Sequence, residues 1–258
     1  MEQQSSSPFR LDGRKALITG GGSGLGFAMA SALAAAGARV VLVGRNAEKL
    51  ARAVRCLDEQ GAAAEWISAD LTDAEACAAV IDQSEAQSGA VDILVNNAGI
   101  QHRAPAMEFH PDDWNRVLDT NLAAPFRMMQ RAARTMSARG GGKIINTISV
   151  LADLGRPTAA PYSTAKAGLK MLTRALAVEW GPLNIQVNGI APGYFATEMN
   201  TVLAEDPVFS GWLESRTPMR RWGRPEEVGP AAVFLAAPAS DFVTGHVLFV
   251  DGGLTAAI

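Results

Sequence analysis

The sequence contains few of the residues from which disulfide frameworks and metal sites are built. Only two cysteines occur in 258 residues, Cys56 and Cys77, and both fall in stretches with a helical pattern. The three histidines, His102, His110 and His246, lack the spacing of metal ligands. Two isolated cysteines are typical of a protein from a reducing compartment. The sequence therefore predicts neither a disulfide nor a bound metal ion.

Targeting and membrane-spanning segments are also missing. Residues 1–8 lack the basic start and the apolar run of a signal peptide. No apolar stretch approaches the ~20 residues that cross a bilayer. The 23 basic and 26 acidic residues are interleaved, with a net charge of −3, which argues against nucleic acid or an anionic membrane as the main partner. We expect a soluble, cytoplasmic protein in which residues 1–10 are flexible and residues 11–258 form one domain.

Apolar runs and helical patterns alternate along the chain. The run at 39–43 is β-branched and continuously apolar, as in a strand that is buried on both faces. Strict alternation predicts an α/β fold, in which a doubly wound parallel sheet of about seven strands carries helices on both faces. Strands are expected at 15–19, 39–43, 64–69, 91–95, 143–149, 185–190 and 246–250. Helices are expected at 24–36, 46–60, 73–87, 111–139 with a bend near Pro125, 160–180 and from 225.

The segment 192–224 is the least regular part of the sequence. It is longer than most loops of a compact domain, and loops of this length usually have a role. We interpret it as a lid that carries one or two short helices over an active site. The alternative is an ordered surface excursion without a function.

A glycine-rich turn joins the first strand to the first helix. Gly20, Gly22, Gly24 and Gly26 let the backbone turn sharply and approach a pyrophosphate, and the helix N-terminus offers free N–H groups. At this place in a parallel sheet the turn predicts a dinucleotide-binding Rossmann domain, and a glycine turn that binds nothing is the less favoured interpretation.

The second strand ends without the carboxylate that would bind the ribose of NAD. Gly44 and Arg45 stand there instead, and the Arg45 guanidinium can bind a 2′-phosphate. We therefore favour NADP(H), with NAD(H) as the alternative if Arg45 is only a solvated side chain. Asp70 follows the third strand and is expected to accept from the adenine amino group. The small residues Asn96–Gly99 end the fourth strand, where the crevice should open.

Tyr162 and Lys166 stand four residues apart in a helical segment, and Ser149 lies thirteen residues upstream at the end of a strand. Residues at this spacing share one face of a helix. A free tyrosine titrates near pH ~10, so a neighbouring cation is needed to make it a base at neutral pH. The three residues predict acid/base chemistry at a hydroxyl or carbonyl carbon.

Together these motifs resemble the short-chain dehydrogenase/reductase family, from about Leu11 to the end of the chain. The matching residues are Gly20, Gly24, Gly26, Asn96–Gly99, Asn121, Ser149, Tyr162, Lys166, Pro192, Gly193, Thr197 and Val250–Gly253. The resemblance implies that Tyr162 is the acid/base, that Lys166 lowers its pKa and binds the nicotinamide ribose, that Ser149 binds the substrate oxygen, and that Asn121 holds a water on the proton path. It also implies a homotetramer.

A cofactor-binding set follows from the glycine turn and the resemblance. Its members are Gly20, Gly22, Ser23, Gly24, Leu25, Gly26, Arg45, Asp70, Leu71, Asn97, Ala98, Gly99, Tyr162, Lys166, Pro192, Gly193, Phe195 and Thr197. Ser23 stands where many NADP-dependent relatives carry Arg or Lys, which leaves Arg45 as the main source of the preference for NADP.

Within the family, the segments 100–103, 155–158, 193–200 and 216–225 are similar to gluconate 5-dehydrogenases, which interconvert D-gluconate and 5-keto-D-gluconate. For such a substrate we expect Arg103 to bind the carboxylate, with His102, Arg156 and Glu198 around it, beside Ser149 and Tyr162. Another sugar or polyol dehydrogenase and a 3-oxoacyl thioester reductase are the alternatives. A regulatory nucleotide-binding protein is disfavoured because the Ser/Tyr/Lys set is complete.

Overall fold

The computed structural model describes residues 7–257. Seven parallel strands form one sheet in the order β3-β2-β1-β4-β5-β6-β7. The strand order reverses between β1 and β4, which is where ligands bind in open parallel sheets. The doubly wound sheet that the alternation of elements predicts is confirmed.

The strands and helices lie close to their predicted positions. The strands are β1 Lys15–Thr19, β2 Arg39–Gly44, β3 Ala64–Ser68, β4 Ile93–Asn96, β5 Gly142–Thr147, β6 Ile185–Pro192 and β7 Val247–Val250. The helices are α1 Gly24–Ala35, α2 Ala47–Glu59, α3 Ala74–Ser88, α4 Pro111–Leu118, α5 Ala124–Ala138, α6 Ala160–Trp180, α7 Thr201–Ala204, α8 Pro207–Arg216 and α9 Gly229–Ala236. The helix predicted from residue 225 starts with a 3₁₀ turn, Pro225–Val228, before α9.

An apolar layer covers each face of the sheet, and the strands contribute side chains to both layers. Successive side chains of a strand point to opposite faces, so Leu17 of β1 packs on the side of α3, α5 and α6, while Ile18 packs on the side of α1, α2 and α9. Both side chains are fully buried. This double burial explains why the strands are apolar without alternation.

The long helical stretch after β4 is divided by a π turn, Asp119–Ala123, between α4 and α5. The Ala124 N–H reaches back five residues to the Asp119 carbonyl. Pro125 has no N–H to donate to the carbonyl of Asn121, four residues earlier, so regular α-helical bonding fails at this point. The predicted bend near Pro125 is therefore a π bulge, a feature found often at functional sites.

Pro8 and Phe9, which precede the predicted start of the domain at Leu11, already pack against it. Residues 1–6 of the segment predicted to be flexible lie outside the described residues. The Ala239 N–H donates to the Pro8 carbonyl at 3.0 Å, and the Phe9 and Phe234 rings lie 6.5 Å apart. Contacts with the domain thus begin before residue 11. Among residues 7–257, no helix is both long and apolar enough to cross a membrane.

Candidate active site

A cleft of about 270 Å³ opens at the carboxyl edge of the sheet, beside the point where the strand order reverses. Its walls come from the glycine turn after β1, the loop after β4, the end of β5, the start of α6 and the segment after β6. The sheet therefore brings together motifs that lie far apart in sequence.

Lys166 is deeply buried at the base of this cleft. Its side chain is only 3% exposed, and its Nζ donates to the Thr147 carbonyl at 2.7 Å and lies 5.7 Å from the centre of the Tyr162 ring. The predicted i, i+4 pairing on α6 thus places both residues in one site. Burial lowers the pKa of Lys166 to about 8, because a desolvated ammonium is less stable than a hydrated one.

Burial has the opposite effect on Tyr162, whose pKa is raised because the phenolate is the charged form. The polar side chains of Ser149 and Gln101 act to lower it, and the Arg103 charge does so more weakly. The sequence predicts a lowered pKa for Tyr162, and that prediction is wrong for this arrangement. The reason is that burial outweighs the opposing groups, while the Lys166 ammonium is itself desolvated and bonded to Thr147.

Ser149 stands at the end of β5, where the chain enters a 3₁₀ turn, Val150–Ala152. Its Oγ accepts from the Leu151 N–H at 3.1 Å, so the hydroxyl proton remains for donation. Ser149 and Tyr162 line the same cleft, so both hydroxyls can bond to one substrate oxygen. This is the geometry that the spacing of the three residues predicts.

Asn121 lies in the π turn and is fully buried. Its Nδ2 donates to the carbonyls of Ile100 at 2.9 Å and Val117 at 2.8 Å, and its Oδ1 accepts from the Ile100 N–H at 3.2 Å. The side chain therefore clamps the loop after β4. The water that Asn121 is predicted to hold stays a prediction.

The glycine turn is shaped by close approaches of the backbone. Gly20 and Gly24 have positive φ angles of 65° and 53°. A Cβ on Gly26 would lie 2.1 Å from the Gly20 carbonyl oxygen. Ser23, the N-cap of α1, makes no side-chain capping bond, so the N–H groups of the first turn face the cleft without a protein partner from this side chain. These features fit a bound pyrophosphate.

Asn97 and Ala98 hold the turn from the side of β4. The backbone N–H groups of both residues donate to Thr19 Oγ1, at 2.9 and 3.0 Å, and Asn97 Nδ2 donates to the Gly20 carbonyl at 3.3 Å. A Cβ on Gly99 would lie 2.6 Å from Asn121 Oδ1, so the loop has no room for a side chain there. The small residues after β4 therefore keep the crevice open.

An open groove continues from the cleft over the ends of β2 and β3. Arg45, Asp70 and Leu71 all line it. Asp70 Oδ1 accepts from the Thr72 backbone N–H and from its hydroxyl, which lowers the pKa of Asp70. Arg45 is exposed, and within residues 7–257 no carboxylate forms an ion pair with it. A free guanidinium at this edge fits a 2′-phosphate.

The segment after β6 crosses the glycine turn. Pro192, Gly193, Phe195 and Thr197 line the cleft, as does Leu25 of α1. The Thr197 methyl lies 3.6 Å from the position of a Cβ on Gly24. Thus all the residues predicted at the nicotinamide end lie on one wall of the same cleft.

Arg156 lines the cleft, as do Ser149, Tyr162 and Glu198 of the predicted substrate set. Its Nη1 donates to the Tyr194 hydroxyl at 3.1 Å, and its guanidinium carbon lies 4.7 Å from the centre of the Phe209 ring. Trp222 completes an aromatic wall with these two rings. Tyr194 was missed at the sequence level, because its only signal was a position after Gly193.

Arg103 lies behind Gln101. Its Nε and Nη2 both donate to Gln101 Oε1, at 3.2 and 2.9 Å, and Gln101 lines the cleft. Burial lowers the pKa of Arg103, and the Arg156 charge adds to this effect. Gln101 was also missed, because an uncharged amide between apolar and basic residues carries no chemical signal in one sequence.

His102 does not join the predicted substrate cluster. It faces the start of α4, with its Nε2 3.4 Å from Asp113 Oδ2 and its ring edge against Phe109. The assignment of His102 is therefore corrected: neighbouring residues of an extended loop point in opposite directions. Glu198 lines the cleft, and its Oε2 also accepts from Lys49 Nζ at 2.6 Å, so its role toward the substrate stays a prediction.

The described part of the chain contains no group of three or more His, Cys, Asp or Glu side chains that could hold a metal ion. Arg156 lines the cleft and Arg103 lies behind Gln101, and no carboxylate within residues 7–257 is paired with either arginine. Such an arrangement favours an anionic ligand.

Comparisons with known proteins agree with this geometry. The family model described as enoyl-(acyl carrier protein) reductase matches residues 20–255. The chain is 48% identical over 250 residues to gluconate 5-dehydrogenase of Gluconobacter oxydans, covering 97% of this chain and 98% of the relative. It is 46% identical to 5-keto-D-gluconate 5-reductase of Escherichia coli, with the same coverage. The crystal structure of a gluconate 5-dehydrogenase from Burkholderia cenocepacia in complex with NADP and tartrate is 52% identical, with a TM-score of 0.94 over 97% of this chain and 98% of that one.

Proposed function

The chain belongs to the short-chain dehydrogenase/reductase family and is an oxidoreductase that acts on hydroxyl groups, and we propose that it interconverts D-gluconate and 5-keto-D-gluconate with NADP(H). The observation that carries the choice of a sugar acid is the pair of arginines, Arg103 and Arg156, beside Tyr162. Two half-buried cations without a paired carboxylate create a positive potential, which favours an anionic substrate. The resemblance to relatives named for gluconate supports the same substrate.

Each catalytic side chain has its own role in the proposed reaction. NADP(H) supplies or accepts the hydride when bound. In the reducing direction Tyr162 donates its proton to the carbonyl oxygen, and in the oxidising direction its phenolate takes the proton of the alcohol. Ser149 donates to the same oxygen, where negative charge develops. Lys166 is placed to return a proton, since its pKa of about 8 lets it exchange protons near neutral pH.

The cofactor residues would hold the dinucleotide along the whole carboxyl edge of the sheet. The pyrophosphate would lie on the N-terminus of α1, between Gly20 and Gly26, and the 2′-phosphate on Arg45. The similar Burkholderia enzyme was crystallised in complex with NADP, which supports the same cofactor here. We also propose that the segment 192–224 is a lid, because Glu198 within it bonds to Lys49 of α2 across the nucleotide side of the cleft.

We further propose that the protein assembles as a homotetramer, as the family resemblance implies. Exposed apolar side chains, Met171 and Val178 on α6 and Phe242 before β7, are consistent with surfaces that another subunit covers.

The sugar-acid assignment is tested by comparing substrates in an assay that follows the absorbance of NADPH. We expect oxidation of NADPH by 5-keto-D-gluconate and little or none by acetoacetyl thioester. Replacement of Arg156 by Met should raise KM for the keto acid about 10- to 100-fold, the effect of one hydrogen bond to a charged group, and should change KM for a neutral ketose much less.

Arg134→Met is the matched control, because Arg134 is exposed on α5 outside the cleft. Equal KM changes for the keto acid and the neutral ketose would contradict the role of Arg156. Turnover of the thioester alone would overturn gluconate as substrate and leave the roles of Ser149 and Tyr162 intact.

The cofactor preference is tested by reversing the charge of Arg45. Arg45→Glu should lower kcat/KM for NADPH about 10- to 100-fold, since a charged hydrogen bond to the 2′-phosphate is lost, and should leave kcat/KM for NADH nearly unchanged. Arg55→Glu makes the same charge change on an exposed position of α2 and serves as control. An equal loss of kcat/KM with NADPH and with NADH would show that Arg45 does not bind the 2′-phosphate.

A further inference from the structure

Gln101 occupies a position in the cleft that the proposed reaction leaves unused. It lines the same cavity as Ser149, Tyr162 and Arg156. The Asn121 side chain forms two hydrogen bonds with the backbone of the neighbouring residue, Ile100: its Oδ1 accepts from the Ile100 N–H, and its Nδ2 donates to the Ile100 carbonyl. The backbone next to Gln101 is therefore fixed by a fully buried side chain.

The orientation of the Gln101 amide follows from Arg103. Two guanidinium N–H groups of Arg103, on Nε and Nη2, donate to Gln101 Oε1 at 3.2 and 2.9 Å. Arginine has only donors, so it selects the oxygen end of the amide and turns the NH₂ end away from itself. The NH₂ end is then the part of Gln101 that is available to the Tyr162 hydroxyl oxygen.

We infer that Gln101 is a further catalytic residue, whose amide N–H donates to the Tyr162 oxygen, and that Arg103 is the positioning residue that orients it. The inference rests on the proposed acid/base role of Tyr162, but it does not depend on which alcohol is the substrate. A donor to the Tyr162 oxygen stabilises the phenolate more than the phenol. Gln101 would thus make Tyr162 a base at lower pH.

The direction of the pH effect follows from this contact. In alcohol oxidation the active form carries the phenolate, so the rate rises with pH through the pKa of Tyr162. Loss of a donor to the phenolate raises that pKa. Gln101→Leu should therefore move the midpoint of the kcat/KM profile to higher pH by about one unit, and below the midpoint lower kcat/KM about tenfold.

The control is Gln186→Leu, the same substitution on β6 outside the cleft, where the Gln186 amide donates to Asn184. Arg103→Met should shift the midpoint in the same direction as Gln101→Leu. The shift of the double variant should be smaller than the sum, because both changes act through one amide. A midpoint that is the same in Gln101→Leu and Gln186→Leu would overturn the inference.

A second measurement is independent of the substrate. The chain has only two tyrosines, Tyr162 and Tyr194, so in a Tyr194→Phe background the ultraviolet absorbance of tyrosinate reports Tyr162 alone. With NADP⁺ bound, Gln101→Leu should raise the pKa that this absorbance measures, and Gln186→Leu should not. If no sugar acid is turned over but this shift is seen, the proposed substrate fails and the role of Gln101 stands. If the sugar acid is turned over and no shift is seen, the role of Gln101 fails alone.

Discussion

Replacing Tyr162 with phenylalanine is expected to lower kcat by about 10²- to 10⁴-fold in both directions, the range for loss of a general acid/base. The ring stays in place on α6, and only the hydroxyl that exchanges the proton is removed. Ser149 and Gln101 line the same cleft, but a serine hydroxyl and a neutral amide do not ionise near neutral pH and so do not replace this acid/base. The measurement is kcat for 5-keto-D-gluconate and for D-gluconate at saturating NADPH and NADP⁺.

Tyr194, the other tyrosine of the chain, provides the control for this prediction. Tyr194→Phe removes the hydroxyl that accepts from Arg156 but leaves Tyr162 in place, so we expect a change mainly in KM. Binding of NADPH, followed by its fluorescence, should persist in Tyr162→Phe. If Tyr162→Phe retained most of kcat while binding NADPH, the proton would have to come from another group.

Gly26→Ala is expected to cost about 1–3 kcal/mol of unfolding free energy or more, and to abolish tight NADPH binding. A Cβ on Gly26 would lie 2.1 Å from the Gly20 carbonyl oxygen and 2.5 Å from Asn97 Nδ2, so the turn or the start of α1 must move. The displaced N–H groups could then no longer meet a pyrophosphate. Urea unfolding and fluorescence titration with NADPH measure the two effects.

Gly211→Ala is the matched control for this prediction. Gly211 lies inside α8, and no heavy atom approaches within 4 Å of an added Cβ. Because alanine is the better helix former, this variant should gain about 0.5–1 kcal/mol and bind NADPH normally. Equal NADPH affinity in Gly26→Ala and in the wild type would contradict the account of the turn.

The sheet and its two helical layers could be predicted because their cause is local. A central strand such as Val40–Val43 is buried on both faces and must be apolar throughout, and the glycines at 20, 24 and 26 leave no room for a side chain or require a positive φ. The pairing of Tyr162 with Lys166 was also predictable, because the helix period alone brings residues four apart onto one face. In each case a few neighbouring residues determine the geometry.

The direction of loop side chains was not predictable in this way. His102 and Arg103 are adjacent, yet the His102 side chain contacts Asp113 and the Arg103 side chain bonds to Gln101. Glu198 bonds to Lys49, a residue 149 positions earlier. Such contacts depend on which elements the sheet order places side by side, and the π turn before Pro125 that fixes the loop after β4 is itself a tertiary feature of the site.

By itself, therefore, the sequence determined the fold class, the nucleotide-binding turn and the Ser149, Tyr162 and Lys166 set, because short-range periodicity and glycine sterics encode them. Only the tertiary structure decided that Gln101 lines the same cleft as Tyr162, that Arg156 and not His102 lines it, and that burial raises the pKa of Tyr162. Desolvation and charge pairing depend on every group within a few ångströms, and those groups come from distant parts of the chain.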